Sequence, residues 1–294
     1  MKCFSRLLIG LLFLLVFIPW GESIASSIDF AIPNVMVHTF HETEENEDSV
    51  PPNTKSHVPT VDMRSTSAAD QEEDLYAIIG ADDRVTIVNL SEFPYCAIAY
   101  IQATAECGDT WYGTGFMIGD RWLLTAGHCA YCTKHASPVR NISIYFGFKS
   151  IQNYAYRYDG VCSVWVSDAV QNGYDFSEED YAYIRLSTPI GDQTGFFGIV
   201  WGESSRVLES KEYYCAGYTE GAMKVGHDNV TVISKKYISY RIDTLPGDSG
   251  APVFDENSNV VAIHTAGATD ESRNYGVRVT KKIHENLIQA GYPD

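Results

Sequence analysis

The stretch Asp243-Thr-Leu-Pro-Gly-Asp-Ser-Gly-Ala-Pro-Val-Phe254 places one hydroxyl group, that of Ser249, between two glycines and just before an apolar strand. Gly247 and Gly250 allow a tight turn with positive φ, and they keep side chains away from the serine. Such a turn can direct the backbone N–H groups of Gly247 and Ser249 toward the place where the oxygen of an attacked carbonyl would become negative. The stretch therefore predicts a nucleophilic serine, which needs a base.

His128 is the strongest candidate for that base. It ends the segment Gly113-Thr-Gly-Phe-Met-Ile-Gly-Asp-Arg-Trp-Leu-Leu-Thr-Ala-Gly-His128, which is typical of two strands around a Gly-Asp turn. The histidine falls just past the second strand, among small residues, so it can lean into a cleft. The near-neutral pKa of an imidazole suits it to accept a proton from a hydroxyl group.

A carboxylate must then fix the tautomer of the histidine and stabilise its charged form. Asp180 suits this role, because it opens the alternating strand Asp180-Tyr-Ala-Tyr-Ile-Arg-Leu186 and can sit at a strand end beside a core. Asp168 and Asp175 precede no comparable strand and are better explained as turn carboxylates.

Length and composition describe a globular chain. Its 294 residues suffice for one large or two small domains, and hydrophobic residues at 45% and aromatic residues at 13% can fill a sizeable core. The formal net charge of −17 comes from 38 acidic and 21 basic residues, and much of the excess precedes residue 84. No Lys/Arg-rich run is present, which argues against nucleic acid as the main partner.

The first 76 residues are interpreted as segments that are removed from the active protein. Residues 1–25 combine a short basic start, an apolar run and small residues, the pattern of a secretory signal peptide. An uncleaved membrane anchor is the alternative, but the apolar run is shorter than the roughly 20 residues of a bilayer span. Residues 26–76 are acidic and lack apolar periodicity, which indicates a disordered propeptide or a linker. We therefore expect a secreted, extracellular protein with one ordered domain over residues 77–294.

Secretion favours disulfide bonds among the cysteines that come after the signal peptide, although six cysteines allow fifteen pairings. Redox or zinc chemistry is the alternative for the C-x-x-C of Cys129 and Cys132. No second C-x-x-C is present, so structural disulfides are favoured. Three N-x-[ST] sequons, at Asn89, Asn141 and Asn229, fit a secreted glycoprotein. The six cysteines are Cys96, Cys107, Cys129, Cys132, Cys162 and Cys215.

Beyond residue 77, short runs of β-branched and aromatic residues alternate with Gly, Asn, Asp and Pro. This pattern is typical of an all-β barrel or sandwich. Only the tail, residues 280–290, has helical spacing, with Ile283, Leu287 and Ile288 on one face and Gly291 as the stop.

The blocks around His128, Asp180 and Ser249 resemble the three catalytic blocks of chymotrypsin-like (trypsin-like) serine proteases, and they occur in that family's order. More narrowly, the chain resembles the glutamyl endopeptidase, or V8-like, branch. The stretches that carry this narrower resemblance are Ile79-Gly-Ala-Asp-Asp-Arg84, Phe116-Met-Ile-Gly119, Asp243-Thr244, Ala262-Ile-His-Thr265 and Tyr275-Gly-Val-Arg-Val-Thr-Lys281.

The resemblance implies two antiparallel six-stranded β-barrels, the first over about residues 85–187 and the second over about 195–280, with a C-terminal helix at about 280–290. It also implies that Ser249 is the nucleophile, His128 the general base and then acid, and Asp180 its orienter. The N–H groups of Gly247 and Ser249 would form the oxyanion hole.

The resemblance leaves two substrate preferences open. Asp243 occupies the position of the carboxylate that attracts Arg or Lys in trypsin. His264 occupies the position of a histidine that contacts a substrate carboxylate in glutamyl endopeptidases. We expect Glu or Asp at P1, bound by a cationic or hydrogen-bonding His264 and the Thr244 hydroxyl, with Thr265 and Gly267 completing the pocket. Basic P1 is the alternative, and His264 can also be explained as a satisfied histidine on a buried strand.

Asp248 departs from the V8-like pattern, in which the residue before the serine can be uncharged. In trypsin-like enzymes an aspartate at this place pairs with the new amino terminus after the precursor is cut, and Ile78-Ile-Gly80 resembles such a terminus. We therefore expect a latent precursor, a cut near Tyr76 or Ala77, and a freed amine that pairs with Asp248. The alternative is that Asp248 only caps a turn.

These observations predict a secreted serine endopeptidase that acts on polypeptides as a monomer, without a cofactor or metal and without stable membrane association. An inactive protease homologue that serves as a secreted binding module is the alternative. Such proteins usually lose a member of the triad, whereas all three positions are filled here.

Overall fold

A computed structural model describes residues 36–40, 76–173, 178–268 and 270–293, of which residues 36–40 and Cys162 are described by their backbone alone. The predicted signal peptide and most of the predicted propeptide lie outside these ranges. In the described ranges, no helix is long and apolar enough to cross a membrane.

The described residues are mostly strands joined by short turns. The strands are β1 Met36–Phe40, β2 Val85–Thr86, β3 Ile98–Ala105, β4 Thr110–Met117, β5 Trp122–Thr125, β6 Tyr131–Cys132, β7 Ser137–Phe146, β8 Tyr156–Tyr158, β9 Val161–Ser167, β10 Ala182–Leu186, β11 Gly198–Ile199, β12 Glu212–Thr219, β13 Ala222–Val232, β14 Tyr237–Tyr240, β15 Pro252–Phe254, β16 Asn259–Gly267 and β17 Asn274–Arg278. The α-helices are α1 Asp168–Gln171, α2 Gly191–Thr194, α3 Ser205–Leu208 and α4 Lys281–Gln289, and Tyr95–Ala97 and Gly127–Cys129 form single 3-10 turns.

The first sheet has the strand order β1-β9-β10-β5-β4-β3-β7-β6, with β8 beside β7. Every residue of the central strand β5 is buried, whereas β3 alternates between buried and half-buried residues. The β4–β5 hairpin pairs Gly115 with Thr125 and so places the residues after β5 at one end of the sheet.

The second sheet contains a closed ring of six strands, β16-β15-β12-β13-β14-β17, because β17 also pairs with β16. β11 adds to β16 in parallel, and β2 adds to β13. β2 therefore belongs to the second sheet, although residue 85 was expected to begin the first barrel. Aromatic side chains join the two sheets: Phe197 lies 5.7 Å from Phe116 of β4 and 5.2 Å from Phe254 of β15, measured between ring centroids.

The fold confirms the predicted class, an all-β chain of two barrel-like sheets with a helix at its C-terminal end. Thr280 caps that helix, α4, by accepting a hydrogen bond from the Ile283 amide at 3.2 Å. Ile283 and Leu287 are buried, but Ile288 is 46% exposed, so the expectation that it shares their face was wrong. Its backbone position, one residue past Leu287, turns it about 100° away from the core.

One segment differs from the sequence-based expectation of disorder. Met36–Phe40, within the predicted propeptide, forms β1 and pairs in parallel with β9, from Met36 opposite Ser163 to Phe40 opposite Ser167. β9 would otherwise leave one edge of its backbone unpaired, and an added strand satisfies those groups.

Candidate active site

The turn around Ser249 has the predicted backbone conformation. Gly247 and Gly250 have φ of 98° and 86°. A Cβ atom at Gly247 would lie 2.3 Å from the carbonyl oxygen of Tyr218, and one at Gly250 would lie 2.0 Å from that of Thr114. Both positions therefore require glycine, for conformation and for space.

The N–H groups of this turn divide into two sets. Asp248 donates to the Leu245 carbonyl at 3.1 Å, Gly250 to that of His264 at 2.8 Å, and Ala251 to that of Asp248 at 2.8 Å. Within the described part of the chain, the N–H groups of Gly247 and Ser249 have no acceptor. These are the two donors that the sequence predicted to remain available.

Two threonines of the first sheet fix the turn in place. The Thr114 amide donates to the Ser249 carbonyl at 2.8 Å, and the Thr114 hydroxyl donates to the Gly247 carbonyl at 2.7 Å. The Thr125 hydroxyl donates in turn to the Thr114 carbonyl at 2.6 Å. Sequence reasoning assigned no role to either threonine, although both lie in the segment that ends at His128, because a contact with the other sheet leaves no local signal.

Asp180 holds His128 at two points. Its Oδ2 lies 2.7 Å from His128 Nδ1, and its Oδ1 accepts from the His128 amide at 2.9 Å. The close approach depends on Gly127, where a Cβ would lie 3.0 Å from Asp180 Oδ1. Burial lowers the pKa of His128, but the adjacent Asp180 carboxylate more than offsets this and leaves the pKa well above its usual range.

The residue after His128 contacts the Ser249 turn directly. Cys129 Sγ lies 3.4 Å from the Ser249 carbonyl oxygen, so the 3-10 turn that carries His128 packs beside the serine. A Cβ at Gly113 would lie 2.6 Å from Cys129 Sγ. The structure thus brings His128, Asp180 and Ser249 into one region between the two sheets.

His264 is 2% exposed and lies on β16. Its Nδ1 is 2.7 Å from the Tyr240 hydroxyl and 3.1 Å from the Tyr275 carbonyl oxygen. Burial among these uncharged partners lowers the pKa of His264 to about 3. The imidazole is therefore neutral at ordinary pH in the free protein, which favours hydrogen bonding over a permanent positive charge as its role.

Asp243, Thr244 and Gly267 are engaged by the start of the ordered domain. Asp243 Oδ1 accepts from the Ile79 amide at 2.6 Å and Oδ2 from the Asp83 amide at 3.2 Å. The Thr244 amide donates to the Ala77 carbonyl at 3.1 Å, and a Cβ at Gly267 would lie 2.5 Å from Tyr76 Cα. Asp243 therefore anchors this segment rather than presenting a free carboxylate, which corrects its expected pocket role.

The same segment is held by Asn274, a buried residue that sequence reasoning missed. Asn274 Oδ1 accepts from the Ala77 amide at 3.0 Å, and Nδ2 donates to the Ala77 carbonyl at 2.8 Å.

Thr265, another predicted pocket residue, follows His264 on β16 and is fully buried. The Thr265 hydroxyl oxygen is 3.4 Å from that of Tyr237.

Asp248 pairs with Arg84, not with Ile78. Arg84 Nη1 donates to Asp248 Oδ2 at 2.7 Å, with side chains only 2% and 4% exposed. The Leu245 amide donates to the same oxygen at 2.8 Å. Burial raises the pKa of Asp248 and the Arg84 charge partly opposes this, which leaves it at about 6. In the uncut chain Arg84 therefore holds the position that was expected for a freed Ile78 amine, and a pairing of that amine with Asp248 after processing stays a prediction.

The cysteines also differ from expectation. Five of them are unpaired, and for Cys162 only the backbone is described, so the expected disulfides among these five are not formed. The unpaired cysteines are Cys96, Cys107, Cys129, Cys132 and Cys215.

Comparisons with known proteins agree with this geometry. The family described as trypsin-like peptidase domain matches residues 113–263. The glutamyl endopeptidase of Bacillus licheniformis is 33% identical over 228 residues, covering 72% of this chain and 68% of that protein. A Bacillus subtilis protein named extracellular metalloprotease is 30% identical over 227 residues, with the same coverage of 72% and 68%. The solved structure of a Glu endopeptidase in complex with MPD has a TM-score of 0.63 and 27% identity, covering 72% of this chain and 98% of that one.

The matched family region, residues 113–263, contains His128, Asp180 and Ser249. The likeness to glutamyl endopeptidases holds in sequence and in fold, which confirms the resemblance seen in the motifs. The chain therefore belongs to the trypsin-like peptidase family, and it is a serine endopeptidase, a hydrolase that cleaves peptide bonds in polypeptides.

Proposed function

We propose that this endopeptidase works through an acyl-enzyme on Ser249. The Ser249 hydroxyl attacks the scissile carbonyl carbon, and its proton passes to His128, whose Nδ1–H donates to Asp180. The C–N bond then breaks, and the leaving amine takes that proton from His128. A water molecule attacks the resulting ester with His128 as base again, which releases the new carboxyl end and restores Ser249. The observation that carries this proposal is the doubly held His128–Asp180 pair beside the Ser249 turn.

The unused N–H groups of Gly247 and Ser249 support the proposed oxyanion hole. Donors that are already fixed by the fold stabilise a developing negative charge without reorganisation at the moment of reaction. The threonine contacts from the first sheet and the Arg84–Asp248 ion pair hold this turn from opposite sides.

Replacement of the nucleophile tests this proposal. Ser249→Ala should lower turnover by about 10⁴-fold or more, with Ser205→Ala, an exposed serine in α3, as the matched control. A serine-directed fluorophosphonate should label the parent protein at Ser249. Undiminished cleavage by Ser249→Ala, or a processed protein that neither cleaves nor takes the label, contradicts the proposal, and the latter supports an inactive binding module.

We further propose a preference for Glu, and then Asp, at P1. Two buried hydrogen-bonding groups support it. The Thr244 hydroxyl is 1% exposed and has no partner in the described residues. His264 is neutral, and its contacts with the Tyr240 hydroxyl and the Tyr275 carbonyl are made through Nδ1, so Nε2 is the atom that can meet a substrate carboxylate. We propose that the Tyr240 hydroxyl donates to Nδ1 rather than to the Tyr275 carbonyl, 3.0 Å away, when a substrate binds, which leaves Nε2–H to donate to the carboxylate. Because Asp243 is occupied by backbone amides, a basic P1 residue has lost its expected partner.

A P1 carboxylate would be stabilised by a positive charge, which neutral His264 does not provide. The start of the ordered domain can supply that charge. Ala77 lies against Thr244 and Asn274, and Tyr76 lies against Gly267. A cut between Tyr76 and Ala77 would turn the Ala77 amide into an ammonium group beside the proposed pocket. We therefore propose a secreted precursor that is processed at this bond, so that Tyr76 no longer covers Gly267.

Terminal sequencing and a substrate panel test these two steps together. Active material from the culture medium should begin at Ala77 and should cleave a Glu substrate at least ~100-fold faster than the matched Arg substrate, which is the effect of about 3 kcal/mol expected for hydrogen bonds to a charged group. Activity that begins far from Ala77 contradicts the processing step, and fast Arg cleavage without Glu cleavage contradicts the specificity.

A further inference from the structure

Four metal-binding side chains meet at the end of the first sheet, outside the site described above. Two belong to the turn between β3 and β4, one ends β6, and one lies in the loop that leads to β7. Their ligand atoms all lie within 4.8 Å of one another. The residues are Cys107, Asp109, Cys132 and His135.

The three distances from Cys132 Sγ to the other ligand atoms match the edges of a zinc tetrahedron. Cys132 Sγ lies 3.7 Å from Cys107 Sγ, 3.6 Å from His135 Nδ1 and 3.8 Å from Asp109 Oδ2. A tetrahedral Zn²⁺ with bonds of ~2.3 Å to sulfur and ~2.0 Å to nitrogen and oxygen has edges of roughly 3.3–3.8 Å. One separation is shorter, 2.9 Å between His135 Nδ1 and Asp109 Oδ2, a hydrogen-bonding contact that the ion would replace.

The backbone holds the two loops together without help from a metal. The Cys107 amide donates to the Ser137 hydroxyl at 3.0 Å, and the Glu106 amide donates to the Pro138 carbonyl at 2.9 Å. The turn itself is closed by a 2.9 Å hydrogen bond from the Ala105 amide to the Asp109 carbonyl. The ligand atoms are therefore brought close by the fold, which lowers the ordering that metal binding requires.

We infer that these four side chains bind one Zn²⁺ ion as a closed, structural site: Cys107, Asp109, Cys132 and His135. Two thiolates and an imidazole are ligands that favour zinc over calcium or magnesium, and four protein ligands leave no position for a reacting water. Each cysteine gives its thiol proton to solvent when it binds, and His135 binds through an unprotonated Nδ1, so each ion releases two thiol protons and, from a charged imidazole, a third. The sequence predicted no metal and considered zinc only at the Cys129–Cys132 pair, yet Cys129 faces Ser249 and only Cys132 enters the cluster.

The location of the proposed zinc site suggests that the ion stabilises the segment after His128. Cys132 lies four residues after His128, so the ion would tie the segment beyond the catalytic histidine to the β3–β4 turn. In the described residues Cys129 forms no disulfide, and Gly113 stands against its sulfur. The metal would therefore supply a crosslink where this part of the fold has no covalent one.

Metal analysis of the full chain tests the inference, and the Ser249→Ala background prevents self-digestion. Protein purified from medium without reductant should bind one Zn²⁺ per chain. Co²⁺ in its place should show thiolate charge-transfer bands and the visible bands of a tetrahedral ion. His135→Ala retains both cysteines and should weaken Zn²⁺ binding by about 100-fold or more, since loss of even an outer partner costs 10–100-fold. Cys96→Ser, outside the cluster, should bind as the parent does.

A disulfide between Cys107 and Cys132 is the competing chemistry, and non-reducing peptide mapping detects it. A linked Cys107–Cys132 peptide, or equal Zn²⁺ binding by the parent and by His135→Ala, overturns the inference. Stability gives a readout independent of peptidase activity: Zn²⁺ should raise the Tm of the parent but not that of Cys107→Ser, and an equal rise in both would also overturn it.

Discussion

His128 and His264 lie on either side of the Ser249 turn, one after β5 and the other within β16. Burial lowers the pKa of both imidazoles. His128 faces the Asp180 carboxylate, which raises its pKa well above the usual range, whereas His264 faces a tyrosine hydroxyl and a backbone carbonyl and stays neutral. The ionic partner thus decides which histidine can become charged during a reaction and which can only donate or accept a hydrogen bond.

Removal of the Asp180 carboxylate should lower the pKa of His128, so that His128 becomes more like His264, which has no ionic partner. Asp180→Asn should lower kcat by about 10⁴-fold, because the amide favours the wrong tautomer of His128. The proposed mechanism needs neutral His128, so kcat/KM of the parent should rise with pH through a pKa above the usual histidine range. The residual activity of the variant should rise at lower pH, because the carboxylate that raised the pKa is gone.

A pH profile of kcat/KM for both proteins measures this shift. Asp168→Asn, at the rival carboxylate in α1, is the control and should match the parent. An unchanged acidic limb in Asp180→Asn contradicts the role of Asp180.

The buried carboxylate of Asp248 gives a second case in which an ionic partner sets a pKa. Arg84 favours the charged form of Asp248, as Asp180 favours the charged form of His128. Arg84→Met would leave this charge unpaired, at a cost of about 3–5 kcal/mol in the free energy of unfolding. The pKa of Asp248 is about 6 in the fold and ~3.9 when unfolded. Its favourable contribution is therefore present below about pH 4 and lost as pH rises through about 6. Because Arg84 lowers the pKa of Asp248, that pKa should be higher in Arg84→Met, and the loss of stability with rising pH should continue to higher pH.

Denaturant unfolding at several pH values measures this effect. The double variant Arg84→Met/Asp248→Asn should recover most of the stability at neutral pH, since position 248 no longer carries a buried charge. Arg157→Met, at an ion pair whose side chains are 40% and 48% exposed, should change stability by less than ~1 kcal/mol. If kcat also recovers in the double variant, Arg84 acts on the turn through Asp248.

The neutral histidine should affect substrate choice rather than turnover in general. His264→Leu should lower kcat/KM for a Glu substrate by about 100-fold, the loss of a hydrogen bond to a charged group, and should leave a Phe substrate within a few-fold of the parent. His227→Leu is the control, because the His227 side chain is 62% exposed. Equal losses on both substrates would indicate a structural role for His264.

The smallest effect should come from the tautomer of His264. The proposed tautomer requires the Tyr240 hydroxyl to donate to His264 Nδ1 rather than to the Tyr275 carbonyl. In Tyr240→Phe, Nδ1 retains only that carbonyl, which can accept but not donate, so Nδ1 takes the proton and Nε2 loses it. Kinetics with the same substrate pair should show a loss of about 10-fold for Glu alone. Tyr213→Phe is the matched control, because the buried Tyr213 hydroxyl has no partner in the described residues. The preference of this control for Glu over Phe should equal that of the parent.

Sequence patterns identified the parts of the site that depend on local geometry. Gly247 and Gly250 are needed for positive φ and space, so the serine turn can be predicted from the sequence. Arg84 and Asn274 cannot, because their partners lie 164 and 197 residues away in the chain. The pairing of Asp248 with Arg84 was missed for this reason: the sequence indicates that a buried carboxylate needs a cation but not which one.

The fold shows the same division between local and distant information. Alternating apolar runs predicted the barrels, whereas β1 and β2 were misassigned. β2 has only two residues, both exposed, and β1 lies in an acidic segment, so neither has a periodic apolar face. Both strands are defined by the sheet edges that they join.

The parallel pairing of β1 with β9 determines how the amino-terminal segment would behave after a cut before Ala77. In the intact chain β1 is tethered to the domain, so its contact with β9 benefits from a high effective concentration. After the cut, the same five-residue ladder becomes an encounter between two molecules at the dilution of the surrounding medium. A five-residue pairing is too short to hold two separate molecules together at low concentration. Once the cut segment has dissociated from β9, it should therefore not rebind.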